Sequence, residues 1–87
     1  MDNQETIDLP TLLKEITMYK VMSSNISAIG YSPKRQVLRV IFGNNSQYLY
    51  FGVEPIIWDA LSKSESKGRF LTENITKRKD KYKYIKV

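Results

Sequence analysis

Two neighbouring stretches of this chain alternate apolar side chains with a period of two, and this pattern constrains the fold more than any other feature. Residues 37–42 and 47–53 both show it, and a period of two is that of a β-strand with two different faces. The predicted faces are Leu38, Val40 and Phe42 opposite Val37, Arg39 and Ile41 in the first strand, and Tyr48 and Tyr50 opposite Leu49, Phe51 and Val53 in the second.

Turn sequences join these strands into a meander. Gly43-Asn44-Asn45-Ser46 is typical of a β-hairpin, and Ser32-Pro33-Lys34-Arg35 places proline at the second position of a turn. Residues 25–31, before that turn, are rich in β-forming residues. We therefore expect three antiparallel strands over residues 25–53. Residues 19–23 and the last six residues are further strand candidates.

Helices are predicted on both sides of this meander. Asp8 is suited to cap a short N-terminal helix, Pro55 to open a second one, and Ser66 to cap a third. Together these elements predict an α+β fold, namely a small antiparallel β-meander of three to four strands with an N-terminal helix and two short helices after the meander. The first helix has a predicted apolar stripe of Leu9, Leu12, Leu13 and Ile16. The second has a predicted buried stripe of Ile56, Ile57, Ala60 and Leu61, with Trp58 at its edge. One side of the third carries Phe70, Leu71, Asn74 and Ile75.

The composition excludes much catalytic chemistry. The chain has neither histidine nor cysteine, so the commonest general base and the usual zinc ligands are missing. No pair of carboxylates is spaced for acid–base work, and none of the four glycines lies in a phosphate-loop pattern. We therefore expect no enzyme, no catalytic residue, no metal and no cofactor. An enzyme that uses Ser23 activated by a lysine, or that uses tyrosines, is the remaining catalytic alternative.

The positive charge is concentrated near the C-terminus. Of a net charge of +5, residues 1–66 contribute −1 and residues 67–87 contribute +6. Such asymmetry indicates a phosphate-rich partner, although a solvated tail is the alternative. No apolar run is long enough to span a membrane and no secretory signal is evident, so we expect a cytoplasmic protein, in the host cytoplasm if it is phage-encoded. Because 87 residues form a thin core, we also expect a homo-oligomer.

Four groups of residues are candidates for ligand binding. In the segment 66–69, Gly68 would allow a phosphate to approach closely, and Lys67 and Arg69 would add charge at a helix start, where anions bind. The alternative is a plain capped helix start. Tyrosines on a sheet can stack bases, or they pack in the core. Basic residues of the tail can attract phosphate, or they protect an edge strand against aggregation. The polar residues at 23–25 can bind a ligand, or they form a turn. The candidate ligand-binding residues are Ser23, Asn25, Tyr48, Tyr50, Ser66, Lys67, Gly68, Arg69, Lys77, Arg78, Lys81, Tyr82, Lys83 and Tyr84.

The order of several short motifs resembles the KTSC domain, a family named for its occurrence at the C-terminus of some lysyl-tRNA synthetases. The resemblance covers residues 21–87 and leaves residues 1–20 as an N-terminal extension with a short helix. It departs at Lys79-Asp80-Lys81, which lengthens the basic and aromatic end. The resemblance implies a stand-alone bacterial or phage member of the family, for which RNA binding is the activity suggested. The matching motifs are Val21, Ser23-Ser24-Asn25-Ile26, Ile29-Gly30-Tyr31, Leu38-x-Val40-x-Phe42, Tyr48-x-Tyr50-Phe51-x-Val53, Leu61, Ser66-Lys67-Gly68-Arg69-Phe70, Ile75 and the pair Tyr82 and Tyr84.

These observations favour a non-catalytic module that binds a nucleotide or single-stranded nucleic acid on a basic, tyrosine-containing surface. One alternative is a phage-type sponge protein that oligomerises and sequesters a small cyclic nucleotide. Another is a protein–protein adaptor, in which acidic residues of the N-terminal segment lie against the basic C-terminus of the same or another subunit. Those acidic residues are Asp2, Glu5, Asp8 and Glu15.

Overall fold

An antiparallel sheet of five strands forms the centre of the protein in the computed structural model, which describes residues 8–87. The strands lie in chain order, β1-β2-β3-β4-β5. The α+β class and the meander are confirmed, and the sheet has more strands than predicted because both outer candidates join it. The elements are α1 (Leu9–Glu15), β1 (Met18–Lys20), β2 (Ile26–Ser32), β3 (Val37–Phe42), β4 (Gln47–Phe51), α2 (Pro55–Lys63), α3 (Lys67–Leu71), a π-helical turn (Thr72–Thr76) and β5 (Lys83–Lys86).

Both predicted turns connect the central strands. In the first, the Gln36 N–H donates to the Ser32 carbonyl at 2.7 Å, and Gln36 has a φ of 56°. In the second, the Asn45 N–H donates to the Phe42 carbonyl at 2.8 Å, and Asn45 has a φ of 72°. Asparagine tolerates this left-handed conformation well, whereas a glutamine in it is uncommon.

The sheet has a helix face, covered by α2, α3 and the π turn, and an opposite α1 face. On the α1 face, Leu12 of α1 and the C-cap residue Ile16 pack against Val37 and Leu49. Because successive residues of a strand point to opposite faces, the alternating residues of β3 and of β4 lie on these two faces of the sheet. The buried residues of the helix face are Ile26, Ile29, Tyr31, Leu38, Val40, Tyr50, Val53, Leu61, Leu71, Ile75 and Tyr82.

Val53 lies on the helix face, so the prediction that it shares a face with Leu49 and Phe51 is wrong. The chain leaves β4 at Gly52, which has a φ of +75°. Glycine adopts this conformation without steric penalty, and it ends the regular alternation of the strand. The Val53 carbonyl then accepts a hydrogen bond from the Tyr31 hydroxyl at 2.5 Å, which ties the start of the helical region to β2.

Helix α2 contacts the sheet through a stripe that differs from the predicted one. Leu61 is buried and Ile57 is half-buried, as predicted, but Ile56 is 74% exposed and Ala60 is also exposed. Trp58 contributes more than predicted, because its ring stacks on Tyr31 with centroids 5.3 Å apart and planes inclined by 11°. The helix therefore packs on an aromatic stack that its own periodicity did not indicate.

Asp8 caps α1 as predicted, since the Thr11 N–H donates to Asp8 Oδ2 at 3.4 Å. Where the structure describes them, the acidic residues of this region form no ion pair with the C-terminal segment. Arg35 Nε donates to Glu15 Oε1 at 2.9 Å, so Glu15 pairs with the β2–β3 turn. Asp2 and Glu5 lie outside the described residues. None of the helices within residues 8–87 has the length and apolar character needed to cross a bilayer.

Candidate functional site

The polar motif before β2 contacts the start of α3. The Ser23 hydroxyl donates to Asn25 Oδ1 at 2.9 Å, and that oxygen lies directly against Gly68. A Cβ atom on Gly68 would overlap Asn25 Oδ1 and would lie 3.2 Å from Ser23 Oγ. The space over Gly68 is therefore filled by Asn25, and the prediction that Gly68 leaves room there for a phosphate is wrong. Glycine permits close packing of two motifs that are distant in the sequence.

The other residues of the predicted anion site at 66–69 also differ in the structure from what the sequence predicted. Ser66 occupies the N-cap position but makes no capping hydrogen bond through its side chain, and its N–H donates to Ser64 Oγ at 3.1 Å. The Lys67 ammonium donates to the Ser64 carbonyl at 2.9 Å. Arg69 is exposed, and its side chain has no partner within the described part of the chain. Of the two predicted cations, Arg69 is therefore the one available to a ligand.

Three tyrosine rings from β4 and β5 form a cluster on the helix face, which we call the tyrosine cluster (Tyr48, Tyr50 and Tyr84). The ring centroids are 6.3 Å apart for Tyr48 and Tyr50, 6.0 Å for Tyr48 and Tyr84, and 5.9 Å for Tyr50 and Tyr84. The register explains this contact, because Tyr84 is the cross-strand partner of Tyr50. The alternation of β4 predicted the shared face of Tyr48 and Tyr50.

The members of the tyrosine cluster differ in access to solvent. Tyr50 is 5% exposed, Tyr48 is half-buried, and Tyr84 is 44% exposed. Burial raises the pKa of Tyr50 to about 12, and the neighbouring rings of Tyr48 and Tyr84 add to the increase. Tyr50 is therefore a neutral core residue, which agrees with the alternative that sheet tyrosines pack in the core. Tyr84 and part of Tyr48 remain available for stacking.

Tyr82 is a core residue, and the prediction that it stacks a base is wrong. It is 2% exposed, and its hydroxyl donates to Glu54 Oε1 at 2.9 Å. Lys81 is occupied by the same group, with Nζ 3.6 Å from Glu54 Oε2 and 5.2 Å from the centre of the Tyr82 ring. The Glu54 backbone N–H and then the Tyr82 hydroxyl hold the pKa of Glu54 below its ordinary value. Sequence reasoning missed this role of Glu54, which directly precedes Pro55 at the start of α2.

An open concavity of about 440 Å³ lies beside Tyr48, at the end of the sheet where β3 turns into β4. We call it the Tyr48 cleft. Its aromatic walls are Phe42 and Tyr48, whose rings meet edge to face at 5.7 Å. Its polar lining includes Ser24, Asn25, Asn44 and Ser46. Sequence analysis missed Asn44 and Ser46, because the hairpin motif that contains them was interpreted only as a turn.

The basic residues of the C-terminal segment do not all converge on this region. Lys86 is the cross-strand partner of Tyr48, so both lie on the helix face. Lys83 is the partner of Phe51 and lies on the α1 face, away from the tyrosine cluster. Lys77 and Arg78 are exposed in the segment that follows the π turn. Lys86, which was absent from the predicted site, is therefore the lysine of β5 nearest to Tyr48 in register.

The site contains hydroxyl, amide and aromatic groups with nearby cations. Among residues 8–87, no cluster of three or more acidic, histidine or cysteine side chains is arranged to hold a metal ion. The Ser23 hydroxyl is hydrogen-bonded to an amide oxygen, and no lysine forms a hydrogen bond with it within the described residues. This arrangement suits recognition by stacking and hydrogen bonding.

Comparison with known proteins assigns the family. Residues 22–87 match the family model described as the KTSC domain. The chain belongs to the KTSC domain family. The match begins after α1 and β1, and it includes the Ser23–Asn25 motif, the tyrosine cluster and α3.

Two relatives and one solved structure are similar to this chain. A protein of Tsukamurella paurometabola is 44% identical over 54 residues, which are 62% of this chain and 81% of that protein. An uncharacterised protein of Stutzerimonas stutzeri is 34% identical over 53 residues, or 61% of this chain and 75% of its own length. The crystal structure of a KTSC domain protein from Yersinia pestis has a TM-score of 0.76 at 29% identity, and it covers 83% of this chain and 97% of that one.

Proposed function

We propose that this KTSC protein is a non-catalytic module that binds nucleotides or single-stranded nucleic acid. The observation that carries the proposal is the position of Tyr84, a half-exposed ring packed against Tyr48 on the same sheet face as Lys86. An exposed ring beside a cation supplies the two contacts that sequence-tolerant nucleic-acid binding needs, namely stacking and phosphate attraction.

The Tyr48 cleft supports this proposal with polar groups. One base stacks on Tyr84, and the adjoining cleft offers the amides of Asn25 and Asn44 to the edge of a neighbouring base. Lys86 contacts phosphate on the same face, and Arg69 does so next to Gly68. Each stacked base contributes about 1–3 kcal/mol to affinity, which exceeds what one exposed cation contributes by charge alone.

A small nucleotide is the second candidate ligand, and the size of the Tyr48 cleft favours it. The open Tyr48 cleft has a volume of about 440 Å³, which is comparable with that of small-molecule pockets. This is the sponge alternative, in which the protein sequesters a nucleotide signal. Salt dependence separates the two ligands, because a polymer that contacts many phosphates loses affinity steeply with salt, whereas a ligand with two or three phosphates loses it gradually.

Fluorescence anisotropy with labelled single-stranded RNA, single-stranded DNA and nucleotides tests the proposal. Tyr84→Ala should weaken binding by about 5- to 150-fold, the equivalent of one stacked base. Tyr19→Ala is the matched control, because Tyr19 is also an exposed strand tyrosine but lies on β1 at the other edge of the sheet. Equal losses for both variants, or no binding of any of the three probes, would contradict the proposed function.

A further inference from the structure

Strand β5 leaves one edge of the sheet open. Within residues 8–87 it pairs with β4 alone, and all four of its residues are exposed. It presents apolar groups on both faces, with Tyr84 on the helix face and Ile85 and Val87, which are 42% and 37% exposed, on the α1 face. An edge with free backbone groups and apolar side chains is a template for pairing with another strand.

The hydrogen-bond pattern shows which residues of β5 direct their backbone groups outward. The Val87 N–H donates to the Gln47 carbonyl at 2.9 Å, in the same register that pairs Ile85 with Leu49. In an antiparallel pair, alternate residues bond to the partner strand. Residues 83, 85 and 87 therefore bond to β4, whereas Tyr84 and Lys86 direct their N–H and C=O groups away from the sheet.

We propose that a second copy of this chain pairs with β5 through its own β5, antiparallel and with the twofold axis at Ile85. This register places Tyr84 opposite Lys86 of the partner and uses both outward-facing residues of each strand. A register centred on Lys86 would set lysine against lysine, and one centred on Tyr84 would leave Lys86 opposite residue 82, where the buried Tyr82 lies. The two strands are therefore complementary in one register.

The register centred on Ile85 is favourable both for the charged and for the apolar side chains of β5. Lys86 lies opposite a tyrosine ring, Lys83 lies opposite Val87 of the partner, and Ile85 meets Ile85 across the axis, so no lysine faces another lysine. A cation over a ring is attractive, whereas like charges directly opposite destabilise a sheet. The lysines of β5 thus exclude other registers and permit this one.

The dimer would also extend the tyrosine cluster. Because residues opposite each other across a ladder share a face, the helix faces of both copies lie on one side of a continuous ten-stranded sheet, twice the five strands of one copy. Tyr84 and its partner's equivalent become diagonal neighbours, which is within reach of aromatic side chains. The partner would then contribute a ring to the same surface, although the dimer itself does not depend on any ligand.

Sedimentation velocity over a wide range of protein concentration tests the assembly. The mass should rise from 10.2 kDa towards twice that value. Lys86→Pro removes an outward N–H that β4 does not use, so it should keep the folded monomer and abolish the dimer. Lys86→Ala keeps that N–H and should retain the dimer. A monomer at every concentration, or a Lys86→Pro protein that dimerises like the parent, would overturn the proposal.

Disulfide trapping tests the register and does not depend on the proline variant. The chain has no cysteine, so single introduced cysteines report on one contact each. Directly opposed residues of a pair without mutual hydrogen bonds lie about 4.5 Å apart at Cα, within the range that a disulfide spans. Ile85→Cys should form a cross-linked dimer on mild oxidation, and Lys83→Cys should not. Equal cross-linking of both variants, or none with Ile85→Cys, would refute the register.

Discussion

Gly30 lies where α1, β1 and β2 meet, and replacing it with alanine should disturb that junction. A Cβ atom at Gly30 would lie 2.5 Å from the Thr17 carbonyl oxygen, 2.6 Å from Met18 Sδ and 2.7 Å from Ile16 Cγ2. All three distances are far below van der Waals contact. The nearest atom belongs to the backbone, so rotation of a side chain cannot relieve the overlap.

The expected loss of stability can be bounded from the contacts at this junction. If α1 shifts but stays in place, overpacking costs about 1–3 kcal/mol. If α1 detaches, the buried Leu12 and Ile16 lose their contacts as well, and each contributes about 1.5–3 kcal/mol. The lower strand propensity of glycine offsets only about 0.5–1 kcal/mol of either cost. Gly30→Ala should therefore lose about 0–2.5 kcal/mol of stability if α1 only shifts, and about 2–5.5 kcal/mol if α1 detaches.

Urea denaturation measures this loss of stability. The fluorescence of Trp58, the single tryptophan, reports unfolding from the helix face, on the other side of the sheet from α1. Hydrogen exchange over residues 9–16 then shows whether α1 shifts or detaches. Gly43→Ala is the matched control, because its Cβ atom would come no closer than 3.3 Å to Ser24 O. A Gly30→Ala protein as stable as Gly43→Ala would refute the packing argument.

Two further predictions concern residues around the candidate site. Gly68→Ala alone should change the free energy of unfolding little, because the Asn25 side chain can turn away. In an Asn25→Ala background the same substitution should stabilise the protein by up to about 1 kcal/mol through helix propensity. A double-mutant cycle measured by urea denaturation tests this, and strictly additive changes in unfolding free energy would contradict the contact between Gly68 and Asn25. The pKa of Glu54 is lowered in the folded protein, so its charge contributes stability that is complete above the ordinary pKa of 4.5 and is lost as pH falls through the lower folded-state pKa. Glu54→Gln should flatten that part of the curve of unfolding free energy against pH, and an unchanged slope would show that Glu54 is not responsible.

Part of the candidate site could be predicted from local pattern. Tyr48 and Tyr84 were found because tyrosines in alternating strands lie either in the core or on a face, and the shared face of Tyr48 and Tyr50 follows from a period of two. Tyr82 was predicted to bind a ligand together with Tyr84, because both belong to the basic and aromatic end of the chain. It precedes β5, however, and packs inward against Glu54 of a distant segment, which spacing alone cannot indicate.

Contacts between distant segments explain the remaining differences. Gly68 was interpreted as a phosphate contact because glycine at a helix start is compatible with one, but the neighbour that occupies its space is Asn25, more than forty residues earlier in the chain. The Tyr48 cleft was missed for the same reason, since its walls come from the loop before β2, from β3, from β4 and from the turn between the last two strands.

The sequence by itself determined the strands, their faces and the turns between them, because these depend on residues two to four positions apart. It also determined the absence of histidine and cysteine chemistry and the excess of positive charge after residue 66. Only the tertiary structure decided which tyrosine stays exposed, which glycine faces a side chain, and which lysine shares a face with Tyr48. Those outcomes depend on the register of β5 and on helices that return across the sheet, and such long-range packing is not encoded in any one segment.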